Sequence, residues 1–129
     1  MIKVLIVAPH KEPEEAMIDS SFGTLRRIVS IGCNELVNVE SKRIGNGVYA
    51  VYADDGILYE LEPNRNLGDE VICGTFIVLA VNSEGYARSL TDYQATKYTR
   101  LLGTDDISYS DALVDWSRRF ERELEEMSV

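Results

Sequence analysis

The sequence is poor in the residues that most side-chain chemistry needs. It has one histidine, one tryptophan and two cysteines in 129 residues. A histidine-based triad would have to use His10, and neither Cys33 nor Cys73 stands beside it in the sequence. There is no Gly-x-Ser-x-Gly elbow. The glycine fingerprints of phosphate-binding and dinucleotide-binding loops are missing too. One histidine and two scattered cysteines make no zinc site. The cysteines lie outside any Cys-x-x-Cys motif and read as two reduced thiols, with a disulfide between them as the alternative. No apolar run approaches the length of a membrane span, and no basic-then-apolar leader opens the chain, so the expected compartment is the cytoplasm. These absences predict no catalytic residue, no metal and no cofactor.

Bases are scarce as well. Thirteen lysines and arginines face 22 acids, for a net charge of −9. Sequence-independent nucleic-acid binding needs a basic footprint, so none is expected. The acidity is uneven. From Thr104 onward there are eight acids (Asp105, Asp106, Asp111, Asp115, Glu121, Glu123, Glu125, Glu126) against three arginines, which leaves residues 1–103 at −4. Such a tail is ordinarily a solvated face. The sharper reading is an acidic surface that imitates DNA or docks on a basic partner.

What is present is a well-punctuated α+β pattern. Ile2–Ala8 is a short, β-branched apolar run that stops at Pro9, and it predicts a buried strand. Pro9–Pro13 predicts a turn and Glu14–Ile18 a returning strand. Asp19, Ser20 and Ser21 offer cap oxygens to a helix carrying Phe22, Leu25, Ile28 and Val29 at helical spacing, with Gly32 at its end. Strand, turn, strand, helix is a β-grasp-like start. Glu35–Arg43 alternates as a half-buried strand, and Gly45-Asn46-Gly47 punctuates it. Val48–Ala53 and Ile57–Leu61 flank Asp54-Asp55-Gly56, which predicts a hairpin. The two aspartates are explained by that turn without a cation.

Pro63–Gly68 (PNRNLG) breaks the sheet pattern and reads as a polar turn. Val71–Val81 is apolar on both faces and predicts one central strand, with Gly74 as a bulge or a close backbone approach. After an Asn82–Gly85 turn, Thr91 and Gln94 form a capping box. The helix they open carries Tyr93, Thr96, Lys97, Tyr98, Leu101 and Leu102, and Gly103 ends it. A last helix follows, in which Leu113, Trp116, Phe120, Leu124 and Met127 make a narrow apolar stripe. The stripe suits packing on the same domain, pairing with a second copy in a homodimer, or a grip on another protein. The expected organisation is a domain over 1–103 and an acidic amphipathic helix over 104–129. The expected fold is a mixed or mostly antiparallel sheet with two packed helices.

IKVLIVAP and KEP at the start, Asn64-Arg65, Gly74-Thr75-Phe76 and the Ser89–Asp92 helix entry occur in an order and spacing that resemble the domain-of-unknown-function family 3846. The resemblance covers about residues 2–102. It implies a setting in phages, conjugative elements and their hosts, among small accessory proteins, some of which oppose host defence. It carries no reaction. His10 stands where that pattern leads one to expect a smaller residue, so any role for it belongs to this chain.

Two binding surfaces follow. Asn64, Arg65 and Asn66 in the polar turn, with Tyr49, Tyr59 and His10, form a candidate ligand site. An arginine fork and amides read phosphate, and tyrosine faces stack a base. The bland alternative is that Arg65 pairs with Asp69 or Glu70 while the asparagines hold turn geometry. Leu113, Trp116, Phe120 and Leu124 form the candidate partner-binding stripe. The expected function is non-enzymatic binding to a host protein, with inhibition of a defence protein as one form of it. The alternative is sequestration of a nucleotide-type signal.

Overall fold

The computed structural model describes residues 1–54, 56, 59–68 and 70–103. Two hairpins and a central strand build its main sheet. Strand β1 (Ile2–Val7) turns back antiparallel as β2 (Glu14–Ile18), with Ile2 opposite Ile18 and Ile6 opposite Glu14. Helix α1 (Phe22–Val29) follows, capped by Ser21, whose hydroxyl accepts from the Thr24 amide. That cap satisfies one of the orphan donors of the first turn. The expected opening order of strand, turn, strand and helix is therefore present.

Strands β3 (Val39–Gly45) and β4 (Val48–Ala53) form the second hairpin, closed at Asn46-Gly47. Strands β5 (Pro63–Leu67) and β6 (Glu70–Cys73) form a separate two-stranded ribbon. Strand β7 (Phe76–Val81) then enters the main sheet, β8 (Ala87–Arg88) pairs beside it, and α2 (Asp92–Leu101) ends the described chain. The strand order is β2-β1-β7-β4-β3, and all neighbours run antiparallel. The expectation of a mostly antiparallel α+β sheet with two helices holds for the described residues. The additional C-terminal helix lies outside them.

Period-two alternation sends the side chains of each central strand to two cores. Leu5, Val7, Val48, Ala50, Phe76 and Val78 meet Ala95 and Tyr98 of α2 and its C-cap Leu102 on one face. Val4, Val51, Ile77 and Leu79 meet Val29 of α1 on the other, with Leu25 and Ile28 packed against them. Strand β7 is buried from Phe76 to Ala80, as a middle strand covered on both sides must be. Each such side chain contributes roughly 1.5–3 kcal/mol of burial free energy.

Three sequence expectations need correction. Val71–Val81 is two strands in two sheets. The break is Gly74, whose φ of +79° suits glycine, and a Cβ there would come within 2.9 Å of Leu61 Cδ1. Residues 59–61 are in no strand and β4 pairs with β3 and β7, so the returning strand expected over Ile57–Leu61 is absent from its described residues. Phe22 begins α1 but is 62% exposed, so the inward face of that helix is Leu25, Ile28 and Val29. Neither cysteine is in a disulfide; Cys73 is buried and Cys33 half-buried.

Helix α2 is pinned to the sheet at its entry. The Lys3 amide donates to Ser89 Oγ at 2.9 Å, and Leu90 N–H donates to the Lys3 carbonyl at 2.9 Å. The Lys3 ammonium pairs with the Asp92 carboxylate. That contact lowers the Asp92 pKa and raises that of Lys3. The Thr91–Gln94 capping box is complete in both directions. The Ser89–Asp92 motif thus works as an anchor for the helix.

Candidate functional site

The polar stretch Pro63–Gly68 is not a turn. Its first five residues are strand β5, and the two residues expected to read a ligand are sealed inside: Asn64 is 0% exposed and Arg65 1%. Asn64 Nδ2 donates to the carbonyls of Val7 and Gly74, both at 2.8 Å. It thereby joins the end of β1 to the break between β6 and β7. Arg65 Nε donates to the Leu102 carbonyl at 2.9 Å, and Nη2 to the Lys11 carbonyl at 2.7 Å. Its Nη1 donates to Asn64 Oδ1 at 2.6 Å and to the Asn64 carbonyl at 3.1 Å. The guanidinium also sits at the C-terminal end of α2, where a positive charge is favoured by the helix dipole.

One correction follows. Asn64 and Arg65 are clamps of the fold with no open face for a ligand. The hydrogen bonds described for Arg65 go to Leu102, Lys11 and Asn64, and Asp69 lies outside the described residues. Asn66 is half-buried, and its Oδ1 is enclosed without a hydrogen-bond partner. The other ligand candidates are dispersed. Tyr49 and Tyr59 are both half-buried against the α1-side core. His10 is exposed in the β1–β2 turn with a φ of +64°, a conformation a smaller residue such as glycine adopts more easily, and its ring pairs with the Glu62 carboxylate. Leu113, Trp116, Phe120 and Leu124, and the homodimer they suggest, lie outside the described residues.

The structure instead brings together a surface the sequence reading did not single out. A groove of about 330 Å³ lies between β3, the β5–β6 ribbon and the end of α2. Ile44, Leu67, Tyr98, Leu101 and Leu102 give it apolar walls, and Lys42, Arg43 and Asn66 add polar ones. Lys42 is held in place, donating to the Leu67 carbonyl at 2.9 Å with the Glu70 carboxylate 3.8 Å away. The same carboxylate accepts from the Tyr52 hydroxyl at 3.4 Å. Burial first, then the negative charge of Glu70, pushes the Tyr52 pKa up to about 12. Tyr98 packs so closely that a Cβ on Gly45 would lie 1.9 Å from its hydroxyl oxygen.

At Leu101 this groove meets a second one on the outer face of α2, lined by Tyr93, Thr96, Lys97 and Arg100. Tyr93 is 74% exposed and Leu101 52%. Because they share Leu101, we treat the two grooves as one strip with exposed apolar side chains along it; Arg43 lines the first groove and Lys97 and Arg100 the second. Its sequence signal was a second stripe on α2. Ala95, Tyr98 and Leu102 recur at steps of three and four and face in. Tyr93, Lys97 and Arg100 recur at steps of four and three, with Leu101 beside Arg100, and these face out.

No described helix is long and apolar enough to cross a membrane. No curated protein and no solved structure matches the chain. A family model does match, over residues 2–103, which is the whole of the described fold after Met1. The chain therefore belongs to the family described as a domain of unknown function, DUF3846.

Proposed function

We propose that the protein acts by binding another protein through the α2–β3 strip, and that it is a non-enzymatic accessory factor. The observation that carries this reading is the direction in which its side chains are committed. Asn64 and Arg65, the polar pair expected to read a ligand, face inward and bond to Val7, Gly74, Lys11, Leu102 and each other. Tyr93 and Leu101 face outward, beside cations, on a helix whose inner face is already satisfied. Solvent-facing aromatic and aliphatic side chains rimmed by charge are the usual composition of a docking patch. The setting implied by the resemblance, phages and other mobile elements, makes a host protein the natural partner and a defence protein one form of it. The proposed place of action is the host cytoplasm.

The test is affinity capture from host extract with the intact chain and with a Tyr93→Asp, Leu101→Asp variant. Both positions are exposed, so the variant is expected to keep its melting temperature and lose the partner. Recovery of the same partner by both proteins would sink the proposal.

A second reading has one observation behind it. The groove is large enough for a small planar ligand, and Lys42 and Arg43 stand at its wall. A nucleotide-type signal held there should raise the melting temperature, because a ligand bound only to the folded state stabilises it. The absence of a shift across a broad nucleotide panel would remove this reading.

A further inference from the structure

We infer that the occupant of the α2–β3 strip is an acidic, amphipathic segment of the partner protein. This rests on the proposed binding function and names the chemistry of its partner. The argument is charge complementarity on a molecule of the opposite sign. The chain carries −9 overall, yet the strip is bordered by Arg43, Lys97 and Arg100. All three are exposed on the surface. A long polyanion such as DNA meets the negative field of the rest of the molecule as well as these few bases, and counterion release over many phosphates needs a wider footprint. A short segment touches the strip alone. Its carboxylates meet the three cations, and its apolar side chains enter beside Leu101 and Tyr93 and reach the groove formed by Ile44, Leu67 and Tyr98. Lys97 is steadied for this role, its ammonium lying 5.6 Å from the centre of the Tyr98 ring.

The chain itself contains a segment of this chemistry. Residues 104–129, outside the described residues, hold eight acids against three arginines together with Leu113, Trp116, Phe120 and Leu124. It is the built-in competitor, and Trp116, the only tryptophan, reports on it in the intact protein.

The experiment uses the full chain and a synthetic peptide without tryptophan, made of alternating acidic and leucine/phenylalanine turns. Binding is followed by amide shifts, and Trp116 emission is recorded alongside. The expected result is saturable binding with shifts on α2 and β3. It should fall about ten-fold in an Arg43→Glu, Lys97→Glu variant of unchanged melting temperature, and fall similarly in high salt. A matched basic peptide should not bind. Three results would overturn the inference. One is equal binding by the variant. Another is no peptide binding combined with a Trp116 emission shift in the variant, which assigns the strip to the chain's own tail. The third is binding to anionic lipid vesicles in place of the peptide, which assigns it to a membrane surface. If no peptide binds but the Tyr93→Asp, Leu101→Asp variant still loses its host partner, the docking function stands and only the acidic chemistry fails.

Discussion

A single guanidinium joins three parts of the chain that share no sequence neighbourhood. Arg65 takes the Lys11 carbonyl from the first turn, the Leu102 carbonyl from the end of α2, and Asn64 from its own strand. Its removal leaves those acceptors buried without their donor, which costs far more than a net hydrogen bond contributes. Arg65→Met is expected to destabilise the protein by about 3–5 kcal/mol. Arg65→Lys should fare little better, because one ammonium cannot reproduce a planar fork. Urea unfolding checks both; a loss under about 1 kcal/mol for either would refute the clamp. This residue also shows what the sequence conceals. Asn64-Arg65-Asn66 is polar, follows Pro63 and precedes Gly68, and so reads as a surface turn. The acceptors that make it an interior strand are backbone carbonyls 54 and 37 residues away, which no local pattern encodes.

Elements were more legible than contacts. The strand over Glu14–Ile18, the Ser21 region as a helix cap and the Thr91–Gln94 capping box each follow from period or from cap chemistry, and each is present. What misled was punctuation. Asp54-Asp55-Gly56 carries a strong hairpin signal, yet β4 is paired by β3 and β7 and residues 59–61 are in no strand. Gly74 was visible as an interruption, but a change of sheet cannot be told from a bulge without knowing where Leu61 packs. That packing gives a test. Gly74→Ala combines a φ of +79° with a Cβ 2.9 Å from Leu61 Cδ1, and should cost about 1–3 kcal/mol. Leu61→Ala removes only the clash. In a double-mutant cycle the two substitutions should therefore couple favourably while the backbone cost of Gly74→Ala persists. Strict additivity would show that Leu61 is not the neighbour that matters. The strip on α2 was legible in principle as a second apolar-cationic stripe. Period alone does not show it, because burial decides which of two stripes faces the solvent.

The molecule as a whole has a sheet whose middle is made of its ends. β1, the first strand, lies between β2 and β7, and the Leu5–Val78 pair joins positions far apart in the chain. Contacts of this kind make folding wait for distant segments. Arg65 tightens the wait, because its bonds close only when Leu102 is in place. On the ribosome this becomes a schedule. The first hairpin emerges early but keeps one edge of β1 bare until Phe76 has followed it. A nascent chain exposed only to residue 90 still lacks the far acceptor of the clamp. Resistance to protease should therefore appear in one late step, between stalled chains that expose residues 1–90 and those that expose residues 1–103. A hairpin that resists digestion on its own, before Phe76 is out, would contradict this. The interval before Leu102 arrives is when the nascent domain is most open to degradation, and the length of that interval is set by how far Arg65 has to reach.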